Sequence, residues 1–338
     1  MNDAKLLNGT NLGITMALWL ATDTYDHNPE DAPQDDLPII SVTQLLKPTR
    51  ALLLAKRIPP QENEVELTTL MNRRLGQSIH SEIERSFLNN NMDLVLRSIG
   101  FPASVVDRLV VNPSKETLAK RPDCLPIYLE KRAYRKIKTS AGTEVWISGK
   151  FDQVIAGKPE DNKNTKVFSY TKMDQSESGD YGIQMALYKW LSPEIITSET
   201  GQINFILTDW NKRDLARDGY PQHPVIEMPV VLMDAETAEK FIRAKLDEIE
   251  RNAELTEAEM IRCADKDLWR SDDVHKYYAD EETAKRGGRA TKNFDSYAEA
   301  MHFKATKGKG VVITAPGEVK RCSYCDAAPA CNQRLEYL

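Results

Sequence analysis

The sequence has no hydrophobic run long enough to cross a bilayer. Its longest apolar stretch near the start, Leu12 to Ala21, is broken by Thr15 and falls well short of the ~20 apolar residues a spanning helix needs. The same stretch lacks the basic flank of a signal peptide, which predicts a cytoplasmic protein with no membrane partner. There is no basic excess either. The 45 Lys and Arg face 51 Asp and Glu, and the net charge of −6 argues against a highly basic, nonspecific DNA coat while saying little about a local groove. Internal repeats and low-complexity tracts are absent. Only 5 cysteines occur, none of them before His80, and in a cytosolic chain they are not expected to form structural disulfides. What remains is ordinary for a soluble protein: 338 residues, 41% hydrophobic and 28% charged, enough to bury a substantial core in one large domain or two.

The pattern divides into three regions: residues 1–60, mainly helical; 61–255, an α/β core; and 256–338, basic, cysteine-bearing and less regular. Ser41 or Thr43 is placed to cap a helix that runs toward Arg57, and Pro48 kinks or restarts it. The acidic stretch Glu30 to Asp36 reads as a solvated linker. Apolar residues at Leu67, Leu70, Met71, Leu75, Ile79, Ile83 and Phe87 predict a helix over 64–89. Strands are predicted over 126–137, 144–155 and 166–172, the first two separated by the turn-like Thr139-Ser140-Ala141-Gly142. A helix over 181–191, strands over 203–210 and 225–232, and an amphipathic helix over 235–251 follow. The predicted fold class is α/β with a mixed sheet flanked by helices.

Three short constellations stand out. Gly76, His80 and Glu84 are four apart and share a helix face. Asp152 lies in an otherwise apolar strand, three residues after Gly149, a glycine that permits close approach of backbone or ligand. Gln184 and Tyr188 sit one helical turn apart; they could bracket a nucleotide, with the amide on phosphate or base and the ring stacking. Each has a plain packing explanation alone. Basic residues gather at Lys131, Arg132, Arg135, Lys136 and Lys138, and again at Lys285, Arg286, Arg289 and Lys292; a solvated strand edge or loop accounts for either cluster alone.

Taken together and in this order, the constellations resemble the PD-(D/E)XK nuclease superfamily, in particular RecB-like and CRISPR-associated exonucleases and related phage exonucleases. The resemblance runs from about Ile40 to Gln333. It implies a restriction-endonuclease-like core, with Gly76 to His80 as the histidine motif, Gly149 to Asp152 as the first metal-ligand motif and Gln184 to Tyr188 as the helix after the catalytic strand. In such enzymes an acid, any residue and a lysine complete the site; two carboxylates bind Mg²⁺ or Mn²⁺ and the lysine positions or activates water. Placing that strand at Val167-Phe168-Ser169-Tyr170-Thr171-Lys172 puts Ser169 at the acid and Thr171 at the lysine. Shifting the register to use Lys172 as the lysine puts Tyr170 at the acid and turns Lys172 to the other face. Neither arrangement supplies a carboxylate, although Asp174 or Glu84 could reach in from outside the strand.

Under that assignment His80, Asp152 and Lys172 are vestigial or relocated catalytic residues. The expected protein is then an inactive nuclease fold that binds single-stranded DNA in phage replication, recombination or transcription, with a phage polymerase or a replication or recombination protein as a partner. Gln184, Tyr188, Lys131, Arg132, Arg135, Lys285, Arg286 and Arg289 are the candidate DNA contacts. The alternative is an active Mg²⁺- or Mn²⁺-dependent exonuclease with a relocated residue.

Cys322, Cys325 and Cys331 follow the basic lead-in Lys320-Arg321. Their spacing resembles the C-terminal motif of RecB-like nucleases that carry a [4Fe-4S] cluster. The fourth ligand is Cys124 or Cys263, and the run Cys263 to Trp269, similar to a segment of the phage exonucleases, favours Cys263. Four thiolates suit [4Fe-4S] or, alternatively, tetrahedral Zn²⁺.

Overall fold

The structure, a computed structural model, describes residues 5–23, 32–59, 64–173 and 179–337. The chain forms two compact units, Met1–Lys47 with Pro60–Glu250, and Pro48–Pro59 with Arg251–Leu338. The expected N-terminal segment 1–60 is therefore divided between them. The reason is visible at Pro48: Ser41 closes a capping box with Gln44 over a four-residue helix, and Pro48 then starts a new one. Among the described residues no helix is long and apolar enough to cross a membrane.

Unit one opens with β1 (Lys5–Leu7), α1 (Ile14–Ala21), β2 (Ile39–Ser41) and α2 (Val42–Leu45). After α3 (Thr49–Lys56), which belongs to the other unit, come β3 (Glu64–Glu66), α4 (Met71–Phe87), α5 (Met92–Ser98), α6 (Ala103–Val106), β4 (Leu109–Val111) and α7 (Lys115–Lys120). Next are β5 (Leu125–Leu129), β6 (Arg132–Lys138), β7 (Glu144–Lys150), β8 (Gln153–Ile155) and β9 (Lys158–Thr165). The unit ends with α8 (Val167–Lys172), α9 (Gly179–Leu191), β10 (Thr200–Leu207), β11 (Val225–Val231) and α10 (Ala235–Asn252). The main sheet has the order β11-β10-β9-β8-β5-β4, and a second sheet has β2-β7-β6. Parallel and antiparallel neighbours are mixed: β9 runs parallel to β10 and antiparallel to β8. The expected α/β class with a mixed sheet holds.

The predicted strands 126–137 and 144–155 are each present, but each breaks in two at the same level. Glu130-Lys131 on one and Phe151-Asp152 on the other are the breaks, joined by the Glu130 N–H donating to the Asp152 carbonyl at 2.7 Å and the Phe151 N–H to the Lys131 carbonyl at 3.2 Å. At the break the first strand passes from the main sheet to the second, and the other passes back from the second to the main. Their inward faces, with Tyr128, Ile137, Val145, Ile147 and Val154, join α9 residues Met185, Leu187 and Trp190 in a single buried core.

The predicted strand 166–172 is instead the helix α8. The strand that follows β8 is β9, Lys-Pro-Glu-Asp-Asn-Lys-Asn-Thr, reached through the two-residue turn Ala156-Gly157 with φ of +50° and +84°. Positive φ at both turn residues is the tight hairpin geometry that matches strand twist. One face of β9 carries amides. Asn162 Nδ2 donates to Gln153 Oε1 at 2.8 Å, Asn204 Nδ2 to Asn162 Oδ1 at 3.1 Å and Gln202 Nε2 to Asn204 Oδ1 at 2.9 Å. Gln153 and Asn162 are each only 4% exposed, so these bonds satisfy groups that water cannot reach.

Gly149 on β7 lies under α9. A Cβ there would stand 2.7 Å from Leu191 Cδ1 and 2.8 Å from Tyr188 Cε1. It is therefore a side-chain contact, and not a ligand, that requires the glycine. Gly149→Ala is expected to destabilise the protein by about 1–3 kcal/mol through overpacking, read as a lower melting temperature in thermal denaturation. An unchanged melting temperature would mean that α9 yields freely.

In unit two, α3 stands beside the cysteine region, and a separate small layer is made by β12 (Val274–Tyr278), α11 (Glu281–Lys285), β13 (Lys292–Phe294), α12 (Tyr297–Lys307) and β14 (Val311–Ala315). Its sheet order is β13-β12-β14, with Tyr277, Phe294 and Ala300 buried against Phe303 and Val312.

Candidate metal and phosphate site

Alternation along β9 puts residues 161 and 163 on one face and 160, 162 and 164 on the other. Asp161 and Lys163 thus point together, and their side chains line one cavity of about 540 Å³ with His80, Glu84, Glu130, Lys150, Asp152, Gln184 and Tyr188. An acid, any residue and a lysine follow Asp152 after a single hairpin. This is the residue pattern sought at Ser169 and Thr171, and it occurs at Asp161 and Lys163. Ser169, Thr171 and Lys172 lie exposed on α8, outside that cavity. Asp174 lies outside the described residues.

Asp152 sits at the break between β7 and β8. Its Oδ2 accepts the Asn162 N–H at 2.9 Å, and its Oδ1 lies 3.4 Å from His80 Nδ1. The other ring nitrogen, His80 Nε2, is 2.9 Å from the Asn162 carbonyl. A carbonyl only accepts, so Nε2 carries the proton and Nδ1 faces the carboxylates. Burial disfavours the Asp152 anion, but the hydrogen bond to His80, the charges of His80 and Lys163 and the Asn162 N–H outweigh it, and the carboxyl is held below its usual range. His80 is raised above its usual value, first by the hydrogen bond to Asp152 against the opposing effect of burial.

His80, raised in the fold, stabilises fully below its unfolded value near 6.5 and loses that contribution as pH rises through the folded value; Asp152, lowered, stabilises above 3.8 and loses it as pH falls. In chelated, metal-free protein His80→Gln should therefore lower the melting temperature more at pH 5 than at pH 8.5. Equal losses at both pH values would show that the ring acts only by packing.

Asp161 is 4% exposed, and burial pushes its carboxyl up to about 6 despite the Lys163 ammonium 2.7 Å from Oδ2. That ion pair coexists with the absence of a well-aligned donor to Oδ2, because the ammonium is close but poorly directed. Burial alone would lower Lys163, yet Asp161 and Asp152 outweigh it and keep the ammonium charged. Glu130 is raised by burial even though Lys150 Nζ lies 2.8 Å away.

Gln184 Nε2 donates to the Tyr188 hydroxyl at 2.7 Å. The Tyr188 ring is 6% exposed and edge-on to Phe151 at 6.5 Å, so it is a packing residue with a polar tip and offers no open face for a base. The basic cluster on β6 is largely committed. Arg135 lies 4.2 Å over the Trp190 ring and donates to its carbonyl, Lys136 pairs with Asp35, and Lys131 lies 4.7 Å over Tyr128. Arg132 is half-buried on the same strand. In unit two, Lys285 pairs with Glu281 on α11, Arg286 donates to Thr283, and Arg289 is exposed.

Cys263, Cys322, Cys325 and Cys331 line one cavity of unit two together with Pro48, Ala51 and Leu54, while Cys124 is buried in unit one. Arg50, 4% exposed, donates from Nε to Cys331 Sγ at 3.4 Å, from Nη1 to the Glu257 and Met260 carbonyls, and pairs with the Glu257 carboxylate. Burial pushes the Cys263 thiol up to about 11, with Asp267 and the neighbouring thiols adding to it. Among the described residues, His80, Glu130 and Asp152 are the group of three or more metal-type side chains whose ligand atoms all lie within 4.8 Å of one another. The thiols share a cavity at wider spacing.

No family model and no curated protein matches the chain. Among solved structures it is similar to SSO0001, with 15% identity over 70% of this chain and 87% of that one at a TM-score of 0.36. It is also similar to Rai1 of Scheffersomyces stipitis, with 12% identity over 78% of this chain and 72% of that one at 0.20. Rai1 in complex with (3'-NADP)+ and calcium ion aligns at 12% identity over 99% of this chain and 83% of that one, also at 0.20. At TM-scores this low, these likenesses assign neither fold nor activity to the chain.

Proposed function

We propose that the chain is a divalent-metal-dependent nuclease of the PD-(D/E)XK type that acts on DNA strands. The observation that carries the reading is the placement of Asp161 and Lys163, two apart on β9, in the cavity of Asp152 and His80. The reading of an inactive, DNA-holding fold rested on Val167–Lys172 being the catalytic strand, and that segment is α8.

Asp152 and Asp161, with His80, are the residues that would hold Mg²⁺ or Mn²⁺, and the donor set of carboxylates and imidazole fits such an ion. A bound ion would supply Lewis-acid stabilisation of charge on the scissile phosphate and lower the pKa of bound water. The chain's own part is distinct. Asp152 is fixed by the Asn162 N–H, and the Asn162 carbonyl sets the His80 tautomer. Lys163 places an ammonium beside the carboxylates, where it can hold a phosphate oxygen or orient water. Gln184 presents its amide at the cavity wall, anchored on Tyr188.

The four thiols of unit two are assigned in the same reading to a [4Fe-4S] cluster. Four thiols lining one cavity are a donor set that suits such a cluster or, alternatively, a tetrahedral Zn²⁺. The cluster's part is structural, tying α3 to the C-terminal segment.

The test is cleavage of end-labelled single-stranded and duplex oligonucleotides by purified protein with Mn²⁺, Mg²⁺ or chelator, paired with a gel-shift assay. Metal-dependent cleavage is expected, with the single strand preferred. Salt-sensitive strand binding that survives chelation, with no cleavage under any metal, would overturn the reading in favour of a binding protein for replication, recombination or transcription.

A further inference from the structure

Arg50 occupies a position that disfavours a cation twice over. It stands in the first turn of α3, at the positive end of the helix dipole, and it is 4% exposed, where an ion loses its hydration. Its guanidinium is nevertheless held from several sides. Nε donates to Cys331 Sγ at 3.4 Å, Nη1 donates to the Glu257 and Met260 carbonyls at 3.0 and 3.2 Å, and Nη2 pairs with the Glu257 carboxylate. That carboxylate is shared: Oε1 also accepts the Asn332 N–H and Oε2 accepts Asn332 Nδ2, both at 3.0 Å. Arg50 and Glu257 thus grip the residue after Cys331 and keep a positive charge in contact with its sulfur. Arg321, Arg334 and Asp267 line the same cavity. Arg321 is turned to other partners, 5.1 Å over the Trp269 ring and donating to the Asp267 carbonyl.

Four thiolates around a metal leave negative charge in excess, about two units for Zn²⁺, and a buried excess of charge needs a partner. We propose that Arg50 is the charge-balancing residue of the thiol site, that its hydrogen bond to Cys331 raises the reduction potential of an iron-sulfur cluster held there, and that Glu257 sets how much of the guanidinium charge the sulfurs feel. The effect on potential rests on the assignment of the four thiols to a [4Fe-4S] cluster and is independent of the nuclease reading. Hydrogen bonds to the sulfurs and nearby net charge are the protein's levers on such potentials. A buried charge acts there with little screening by salt. The burial and hydrogen bonding of Arg50 therefore make it a positioning and tuning residue, in addition to its part in packing α3.

Full-length protein purified without oxygen is titrated with dithionite against redox dyes, and the reduced fraction is followed by visible absorbance and paramagnetic resonance. Arg50→Met should lower the ratio of reduced to oxidised cluster at the wild-type midpoint about tenfold, or ~59 mV for one electron. Arg50→Lys, which keeps the charge, should lower it less. Glu257→Gln should shift the ratio the other way, because the guanidinium is no longer neutralised; a purely structural role would not give shifts of opposite sign. A brown Arg50→Met protein with the wild-type potential would overturn the proposal. Should that variant not fold, a Glu257→Gln potential at or below the wild-type value would overturn it equally. Stoichiometric zinc in the native protein would sink the cluster reading alone. Charge balance is then read by chelator competition: Arg50→Met should surrender zinc at least tenfold more readily, and retention equal to wild type would overturn the role of Arg50. Native protein holding neither metal would overturn both.

Discussion

Asp161→Asn should abolish metal-dependent cleavage, lowering kcat by a factor of about 10²–10³ or more, the scale on which losing one charge-stabilising group acts in a closed site. The substitution keeps the shape of β9 and removes only the anion. Lys163→Ala should fall in the same range, whereas Lys172→Ala should match wild type, since Lys172 is exposed on α8. Single-turnover cleavage of a labelled oligonucleotide separates these outcomes. Retained activity in Asp161→Asn, or its loss in Lys172→Ala, would restore the assignment of the catalytic segment to 166–172. A pH profile adds a second readout. The Asp161 carboxyl is raised to about 6 in the fold against 3.8 for the free group, so between those values the folded chain takes up a proton that the unfolded chain does not. Its stability contribution falls across that window as pH rises, and a protonated Asp161 is a poor ligand. Cleavage should therefore decline as pH drops through about 6, with the midpoint moving lower as Mn²⁺ is raised.

Cys325→Ser should remove most of the bound iron and loosen unit two while leaving unit one folded. Structural metal sites contribute apparent binding free energies of about 10–16 kcal/mol in small zinc domains, and the apolar cluster of the β12–β14 layer in unit two is small, with Tyr277, Phe294 and Ala300 buried. Native protein purified without oxygen should be brown and bleach on reduction, and the variant should be colourless, with protease sites opening between Arg251 and Leu338. Cys124→Ser, remote from the thiol cavity in sequence and unit, should keep the colour. A colourless native protein that contains stoichiometric zinc would replace the cluster with a single ion. A metal-free protein with an intact, protease-resistant unit two would remove the structural role altogether.

Most elements were legible because their burial is written in periodicity. Met71 to Phe87 has a 3.6-residue apolar repeat and forms α4; the apolar alternation around Val145, Ile147 and Val154 forms β7 and β8; Phe241, Ile242 and Leu246 mark α10. The site was half legible for the same reason. His80, Gln184 and Tyr188 occur on regular elements and Asp152 at the break between two strands that periodicity marks, and the structure brings all four to one cavity. β9 was missed because Lys-Pro-Glu-Asp-Asn-Lys-Asn-Thr has a proline, two asparagines, four charges and no β-branched residue until Thr165, a composition strands avoid. It is a strand because β8 and β10 bond it on both sides. Val167-Phe168-Ser169-Tyr170 drew the assignment by its apolar and aromatic character, which instead seats Tyr170 against Phe205. The usable signal was Gly157, which marks a hairpin turn shortly after Asp152 and leads straight to an acid and a lysine two apart. Glu130 left no trace in the sequence, since nothing local marks a glutamate at a strand break.

The amides on the far face of β9 act on chain alignment. A strand with apolar residues on one side cannot slide by one position without turning its core toward water, but β9 has no such side, and hydrophobicity alone would let it slip. Sliding by one residue would carry Asp161 and Lys163 out of the cavity and bring Asn162 and Asn164 into it. The interlocked amides of Gln153, Asn162, Asn204 and Gln202 forbid that error, because every shifted pairing strands buried donors and acceptors without partners. Fidelity of alignment in this strand is thus set by hydrogen-bond matching, and a single Asn162→Leu change would cost accuracy of assembly before it cost compactness.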